Sequence, residues 1–153
     1  MIRAAAIALF LLGCSSGSGQ SDPATRRADA NTLERALTED HSSNPLTEVD
    51  NAVVDRRPVL AAELIRSGAL PALERARAAV AATVTRTPEG NTVRSALLSA
   101  YDEQVRTLTN YARVLERGEV EDMQLLEAVH HQRVAVQGME RAHEQLDRLG
   151  AAE

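Results

Sequence analysis

Apolar side chains recur at intervals of three and four residues through most of this chain, a spacing typical of one face of an α-helix. A first pattern covers residues 30–40. A second covers residues 46–64, and Pro58 lies inside it, so we expect that helix to kink or break just before the proline. A third covers residues 73–84 and follows the stretch Ser67 to Pro71, whose glycine and proline predict that one helix ends and the next begins.

The longest patterns come last in the chain. One covers residues 93–115 and includes Tyr101 and Tyr111, which we expect to pack in the core. Gly118 then predicts a short turn, and the following helix is expected to end near Gly150, because glycine favours the C-terminal cap. The apolar stripe expected on this last helix consists of Val120, Met123, Leu126, Val134, Ala142, Leu146 and Leu149.

No stretch alternates between apolar and polar residues for long enough to predict a β-strand. The break at Gly118 predicts that the last two helices form an antiparallel hairpin, because so short a connection leaves them side by side. The sequence therefore predicts an all-α fold, an antiparallel bundle of about four helices over residues 30–150.

The first fourteen residues follow a different pattern. An arginine precedes an uninterrupted apolar run from Ala4 to Leu12, which is too short to span a bilayer and is typical of the hydrophobic region of a signal peptide. The run leads into Leu11-Leu12-Gly13-Cys14, which resembles the lipobox of bacterial lipoproteins. The resemblance implies cleavage after Gly13 and attachment of lipid to Cys14, the single cysteine of the chain.

The resemblance also implies a location in a bacterial cell envelope, where acyl chains hold the protein on a membrane. Ser15, and not an aspartate, follows the lipidated position, which by resemblance favours the periplasmic leaflet of the outer membrane if the organism has two membranes. Residues 15–29 are mostly small or polar, a composition that predicts a flexible tether. The predicted organisation is thus a signal peptide (1–13), a lipidated tether (14–29) and a helical domain (30–150).

Composition narrows the range of functions. The chain has 153 residues and a net charge of -5, and its 17 basic residues are all arginine. Aromatic residues make up 2% of it, so it lacks the basic surface and the stacking side chains typical of a nucleic-acid-binding protein. It contains no glycine-rich phosphate loop and no nucleophile elbow, and one cysteine cannot form an internal disulfide or a cysteine-rich zinc site. The sequence predicts no cofactor and favours a binding role over an enzymatic one.

Two copies of the motif Glu-x-x-His lie on the last predicted helix, beginning at Glu127 and Glu140. The spacing places a carboxylate and an imidazole on one helix face, as in di-iron carboxylate bundles, but those proteins take their two motifs from different helices. The copies here lie about 20 Å apart along one helix and cannot share a metal. Glu127 and His130 are the candidates for a single-motif site. Arginines at the same level, including Arg106 and Arg133, favour a solvated ionic face instead, so no metal site is predicted.

Three functions are compatible with this sequence. The favoured one is a non-enzymatic helical module, anchored to the membrane, that binds another envelope protein or the cell wall. The second is a ferritin-like metal-binding bundle, which would need Glu127 and His130 in a core layer rich in carboxylates. The third is a periplasmic chaperone-like protein, which would need an exposed apolar groove.

Overall fold

The computed structural model describes residues 21–38, 45–117 and 122–151. Within these ranges the chain is helical and contains no strand, so the predicted all-α class is confirmed. The helices, in chain order, are α1 (Pro23–Thr38), α2 (Pro45–Val54), α3 (Pro58–Leu64), a π-helical segment (Ile65–Ala69), α4 (Leu70–Ala82), α5 (Pro88–Glu116) and α6 (Asp122–Ala151). Four of them begin at a proline, whose missing N–H costs nothing at a position where no helical partner exists.

Helix α1 begins seven residues before its predicted start, so residues 23–29 are helical although the sequence placed them in the tether. The carboxylate of Asp22 caps this helix by accepting hydrogen bonds from the N–H and the hydroxyl of Thr25, at 3.1 and 3.0 Å. The prediction rested on low apolar content, but hydrogen bonds of Asp29 hold this part of the chain, as described below. Residues 15–20 lie outside the described ranges.

Pro58 ends one helix and begins another. Between α2 and α3 the backbone of Arg56 has φ of 55°, in the left-handed region, and the N–H of Arg57 donates to the carbonyl of Ala52 at 2.8 Å. The two helices are therefore separated by a turn, which decides between the predicted kink and the predicted break in favour of the break.

The predicted stop between Gly68 and Pro71 is wrong. Helix α3, the π-helical segment and α4 follow one another without a turn from Pro58 to Ala82. The π-helical segment explains how a proline is tolerated there, because a widened turn makes room for the ring that would clash with a regular α-helical turn. At its end the N–H of Leu70 bonds to the carbonyl of Ile65, five residues earlier.

Helices α5 and α6 form an antiparallel pair. Arg117 donates to Gln124 at one end of the pair, at 3.3 Å, and Val93 and Leu149 join the same core cluster at the other end. The predicted break at Gly118 lies outside the described residues.

The predicted C-cap at Gly150 is wrong, since α6 continues through it to Ala151. The glycine instead lies where α1 approaches α6. A Cβ added at Gly150 would lie 3.5 Å from the Cβ of Ala30, an ordinary van der Waals contact, so the close approach of the two helices does not itself require glycine.

Buried residues form two clusters, one in each half of the bundle. The first cluster lies between α1, α4, the beginning of α5 and the end of α6, and Leu33 is completely buried in it. The second cluster lies between α2, α3, the π-helical segment, the end of α5 and the beginning of α6, and Ile65 is completely buried in it. Tyr101 belongs to the first cluster and Tyr111 to the second, so the predicted burial of both tyrosines is confirmed.

Helix α6 faces the bundle with a stripe that differs from the prediction in its first half. The buried members of the predicted stripe are Ala142, Leu146 and Leu149. The exposed members are Met123, Leu126 and Val134. Val120 lies outside the described residues. The stripe that is buried or half-buried repeats at alternating intervals of three and four residues and consists of Leu125, Ala128, Gln132, Ala135, Met139, Ala142, Leu146 and Leu149.

A polar contact joins α5 and α6 between the two clusters. The amide of Gln132 donates to the side-chain oxygen of Gln104 at 3.1 Å, and the hydroxyl of Thr107 donates to Gln132 at 2.9 Å. Gln104 and Thr107 are buried. Because a buried polar group that loses its partner is costly, this contact favours one register of the two helices over others.

Candidate functional site

Cys14 and the cleavage position after Gly13 lie outside the described residues. The described chain begins at Ser21, and this residue is fastened to the start of α5. Its hydroxyl donates to one carboxylate oxygen of Glu89 at 2.7 Å, and its N–H donates to the other at 3.4 Å. Any tether that precedes Ser21 therefore leaves the bundle beside the first turn of α5.

A buried carboxylate makes a second connection between α1 and α5. Asp29 is 3% exposed and accepts hydrogen bonds from the N–H of Arg86 at 3.0 Å, and from the N–H and hydroxyl of Thr87 at 2.8 and 2.6 Å. Thr87 is itself the N-cap of α5, and its hydroxyl oxygen accepts a hydrogen bond from the N–H of Gly90 at 2.9 Å. This arrangement, the Asp29 clasp, holds α1 against the connection between α4 and α5.

The clasp also explains why position 90 is glycine. A Cβ added there would lie 2.3 Å from a carboxylate oxygen of Asp29 and 2.9 Å from the hydroxyl of Thr87, closer than atoms approach in proteins. The clasp could not be predicted from the sequence, because Asp29 lies more than fifty residues from Arg86 and Thr87 and no recognisable motif links them.

The hydrogen bonds around Asp29 and Glu89 favour the ionised form of both carboxylates. Burial by itself raises the pKa of Asp29, but hydrogen bonds from the side chain of Thr87 and from the N–H groups of Arg86 and Thr87 outweigh it, and the net pKa lies below the usual value. The hydrogen bond from Ser21 lowers the pKa of Glu89 in the same way. Both carboxylates are thus charged acceptors that stabilise the attachment of the N-terminal segment at neutral pH.

The candidate metal ligands do not converge. Glu127 and His130 are both exposed on α6. The ring of His130 lies 6.0 Å from that of His131. Within the described part of the chain, no three histidine, cysteine, aspartate or glutamate side chains come close enough together to hold a metal ion. Neither candidate lies in the core layer that a ferritin-like site requires.

Arginines form ion pairs with exposed carboxylates on this side of the bundle, and one of them, Arg106, is an arginine that the sequence placed at the level of His130. Arg106 pairs with Glu103 on the same helix, and Arg66 pairs with Glu116 on the neighbouring one. All four side chains are at least partly exposed, so these ion pairs contribute little to stability. Each carboxylate is nevertheless paired with an arginine.

The surface that the sequence analysis missed is the outer face of α6. Met123 and Leu126 are 74% and 64% exposed. The outer face is defined by Met123, Leu126 and Val134, whereas Val129 and Val136, each 36% exposed, lie toward one flank of the helix. Large apolar side chains gathered on one exposed helix segment are unusual in a monomeric protein and typically mark a contact surface. The alanines at positions 128, 135 and 142, spaced by seven residues, form a second, small-sided stripe in the sequence, and the structure shows that this stripe is the buried one.

A groove lies beside the outer face, between α5 and α6. Its volume is about 500 Å³, and small side chains lie along it, including Ser99, Ala100 and Gly138, next to Val134. A Cβ added at Gly138 would meet nothing within 4 Å, so the groove is open there.

No family model, curated protein or solved structure matches this chain. Among the described helices, none combines the length and the apolar character needed to cross a membrane.

Proposed function

We propose that this protein is a lipid-anchored lipoprotein of the bacterial envelope whose helical bundle is a non-enzymatic binding or accessory module. The resemblance of Leu11-Leu12-Gly13-Cys14 to a lipobox supports the anchor, with lipid on Cys14 after cleavage behind Gly13. Ser15 favours the periplasmic leaflet of the outer membrane in an organism with two membranes. The attachment of Ser21 to Glu89 is consistent with a bundle that is carried by its N-terminal end.

The outer face of α6 is the observation that carries the binding role. Leaving a leucine or methionine side chain in water forgoes about 1.5–3 kcal/mol of burial, and Met123 and Leu126 lie one helical turn apart here. A partner that covers Met123, Leu126 and their neighbours would recover that free energy. The partner we propose is another envelope protein, because a polar glycan strand of the cell wall offers little apolar surface in return.

The anchor is tested by feeding cells an alkyne-bearing fatty acid and detecting label on the protein. We expect labelling of the natural chain and of the control Ser15→Ala, and none of Cys14→Ala, because only the thiol of Cys14 can carry the diacylglyceryl group. Equal labelling of the natural chain and Cys14→Ala would contradict the anchor.

The binding role is tested with a photo-cross-linking amino acid placed at Leu126 in the lipidated protein, in the cells that make it. We expect a product of one defined mass, which disappears when Met123→Asp is added. The matched control is the same amino acid at Ser95, an exposed position of α5, which should give no such product. A continuous range of products from Leu126 would favour the chaperone-like alternative, and none at all would contradict both.

A further inference from the structure

We infer that one end of the bundle, the tether end, docks on the surface of the anchoring membrane and contacts anionic lipid headgroups. The tether end comprises the first turns of α1, the connection between α4 and α5 at residues 83–87, and the last turn of α6. The inference rests on the lipid anchor proposed above and adds an orientation and a contact surface to it.

The length of the tether requires this end to lie near the bilayer. Six residues separate Cys14 from Ser21. Even fully extended, the chain between these two residues spans no more than about 25 Å. Because Ser21 is bound to Glu89, the first turn of α5 is held within the same reach of the lipid.

The Asp29 clasp prevents the tether from lengthening. If α1 detached from the bundle, its 16 residues would add to the tether and the domain could move away from the membrane. Asp29 holds α1 to Arg86 and Thr87 through buried hydrogen bonds, so that detachment is opposed at the point where a pull on the N-terminus would act.

The chemistry of the tether end fits a lipid surface. Val84 is 79% exposed in the connection between α4 and α5, two residues before the exposed Arg86. Neither Arg86 nor Arg27 makes an ion pair within the described part of the chain. An exposed apolar side chain close in sequence to an exposed arginine suits the boundary between acyl chains and phosphates, where arginines bind headgroups.

The acidic groups of this end are mostly engaged within the protein. Asp29 is buried, Glu89 is held by Ser21 and Asp22 caps α1. Asp147 is exposed on the last turns of α6, Glu34 is exposed on α1 beside Gly150, and both oppose the attraction. The tether end therefore presents arginines outward although the chain as a whole is acidic, with a net charge of -5.

This orientation also places the outer face of α6. Leu126 lies 23 residues before Leu149 on one helix, a distance of about 35 Å along the axis. With the tether end on the membrane, the outer face lies near the opposite end of α6, where a soluble partner can reach it.

The test uses the full lipidated protein in vesicles. After lipidation of Cys14 the chain has no free thiol, so Val84→Cys can be labelled selectively with the environment-sensitive dye NBD. The matched control is Met123→Cys, since the two native side chains are 79% and 74% exposed. In vesicles of phosphatidylethanolamine and phosphatidylglycerol that contain a spin-labelled lipid, we expect at least twofold quenching at position 84 and none at position 123.

Charge variants distinguish the contribution of the arginines to docking from the contribution of the lipid anchor. Adding Arg27→Gln and Arg86→Gln should at least halve the quenching at position 84, whereas Arg57→Gln, in the turn between α2 and α3, should leave it unchanged. Vesicles of phosphatidylcholine alone should give weaker quenching than the anionic ones. Equal quenching in both vesicle types would contradict the role of the arginines.

Flotation of the vesicles distinguishes a failure of docking from a failure of the lipid anchor. A protein that floats with the vesicles but shows the same dye environment at positions 84 and 123 overturns the docking inference and leaves the anchor intact. A protein that does not float, and whose Cys14 reacts with the dye, overturns the anchor and the inference together.

Discussion

The two halves of the bundle share α5 and α6 but differ in what α6 adds to the core. In the half that contains the first cluster, α6 buries Leu146 and Leu149. In the other half its contribution to the buried part of the second cluster is Ala128, while Leu126 two residues earlier is exposed. Because each buried methylene stabilises by about 0.8 kcal/mol, the first half of α6 is held less strongly than its second half.

The halves also differ in their local structure: one contains a buried polar contact and the other contains irregular helices. The first half has the Asp29 clasp, in which a buried carboxylate accepts hydrogen bonds from Arg86 and Thr87. The second half has a helix break before Pro58 and a π-helical segment, both departures from regular α-helix. The comparison indicates that one half is built for a firm connection to the N-terminal segment, and that the other gives up burial on α6 and keeps an apolar surface outside.

The largest expected effect is the difference in unfolding free energy between replacing a buried leucine and replacing an exposed one. Leu33→Ala should lower the free energy of unfolding by about 3 kcal/mol, because Leu33 is completely buried in the first cluster. Leu126→Ala should change it by less than about 0.5 kcal/mol, because Leu126 is 64% exposed. Urea unfolding followed by circular dichroism measures both, and equal losses would show that α6 is oriented differently.

Removal of the clasp should have the next largest effect. Asp29→Ala leaves the N–H groups of Arg86 and Thr87 without their acceptor and should cost about 2 kcal/mol at pH 7. Asp55→Ala, at an exposed position between α2 and α3, is the control and should cost less than about 0.5 kcal/mol.

The pH dependence of that difference follows from the lowered pKa of Asp29. An unfolded aspartate has a pKa of about 3.9, so its charged form contributes fully above that value. As the pH falls below about 4, the unfolded state binds the proton first and the contribution of the ionised carboxylate is progressively lost. Unfolding at pH 3 should therefore show a smaller gap between the natural chain and Asp29→Ala than unfolding at pH 7.

Loss of the polar contact around Gln132, between the two halves, should have a smaller effect on stability. Gln132→Ala removes two hydrogen bonds, to Gln104 and Thr107, and should cost about 1 kcal/mol. Gln137→Ala removes an exposed glutamine from the same helix and should be neutral within about 0.5 kcal/mol. If both variants unfold at the same urea concentration, the buried contact does not help to set the register of α5 and α6.

The smallest expected effect is a gain in stability on replacing one helical glycine by alanine. The same replacement at a second glycine serves as a control and should lower the stability. Gly138→Ala should stabilise the protein by about 0.5 kcal/mol, because the helix gains a residue of better propensity and the new methyl meets nothing within 4 Å. Gly90→Ala should destabilise it, because its methyl would collide with Asp29 in the clasp. A gain from Gly90→Ala would show that the clasp is looser than described.

The sequence by itself determined the helical class, the helix break before Pro58 and the burial of both tyrosines. Prolines and the three-and-four spacing of apolar residues are local signals, and they predicted the burial of residues such as Leu33, Leu97 and Tyr101. The lipobox resemblance at Cys14 is also local, and remains a prediction about a part of the chain outside the described residues.

The tertiary structure alone decided which face of α6 is buried. Two apolar stripes run along the first half of this helix, one small-sided through Ala128 and Ala135 and one large-sided through Leu126 and Val134. Hydrophobicity favours the large side chains for the core, but α5 approaches closely and the small ones fit between the helices. Size complementarity between two helices is a property of the pair, which the pattern of one helix does not contain.

Contacts between distant residues were undetermined for the same reason. Asp29 looked like part of a polar tether, because the groups that donate hydrogen bonds to its carboxylate belong to Arg86 and Thr87, more than fifty residues away, and reach it only after the chain has folded. The continuous helix through Gly68 and Pro71 likewise depends on its surroundings: Ile65 and Ala69 are buried against neighbouring helices, and their burial offsets the cost of a π-helical turn around a proline.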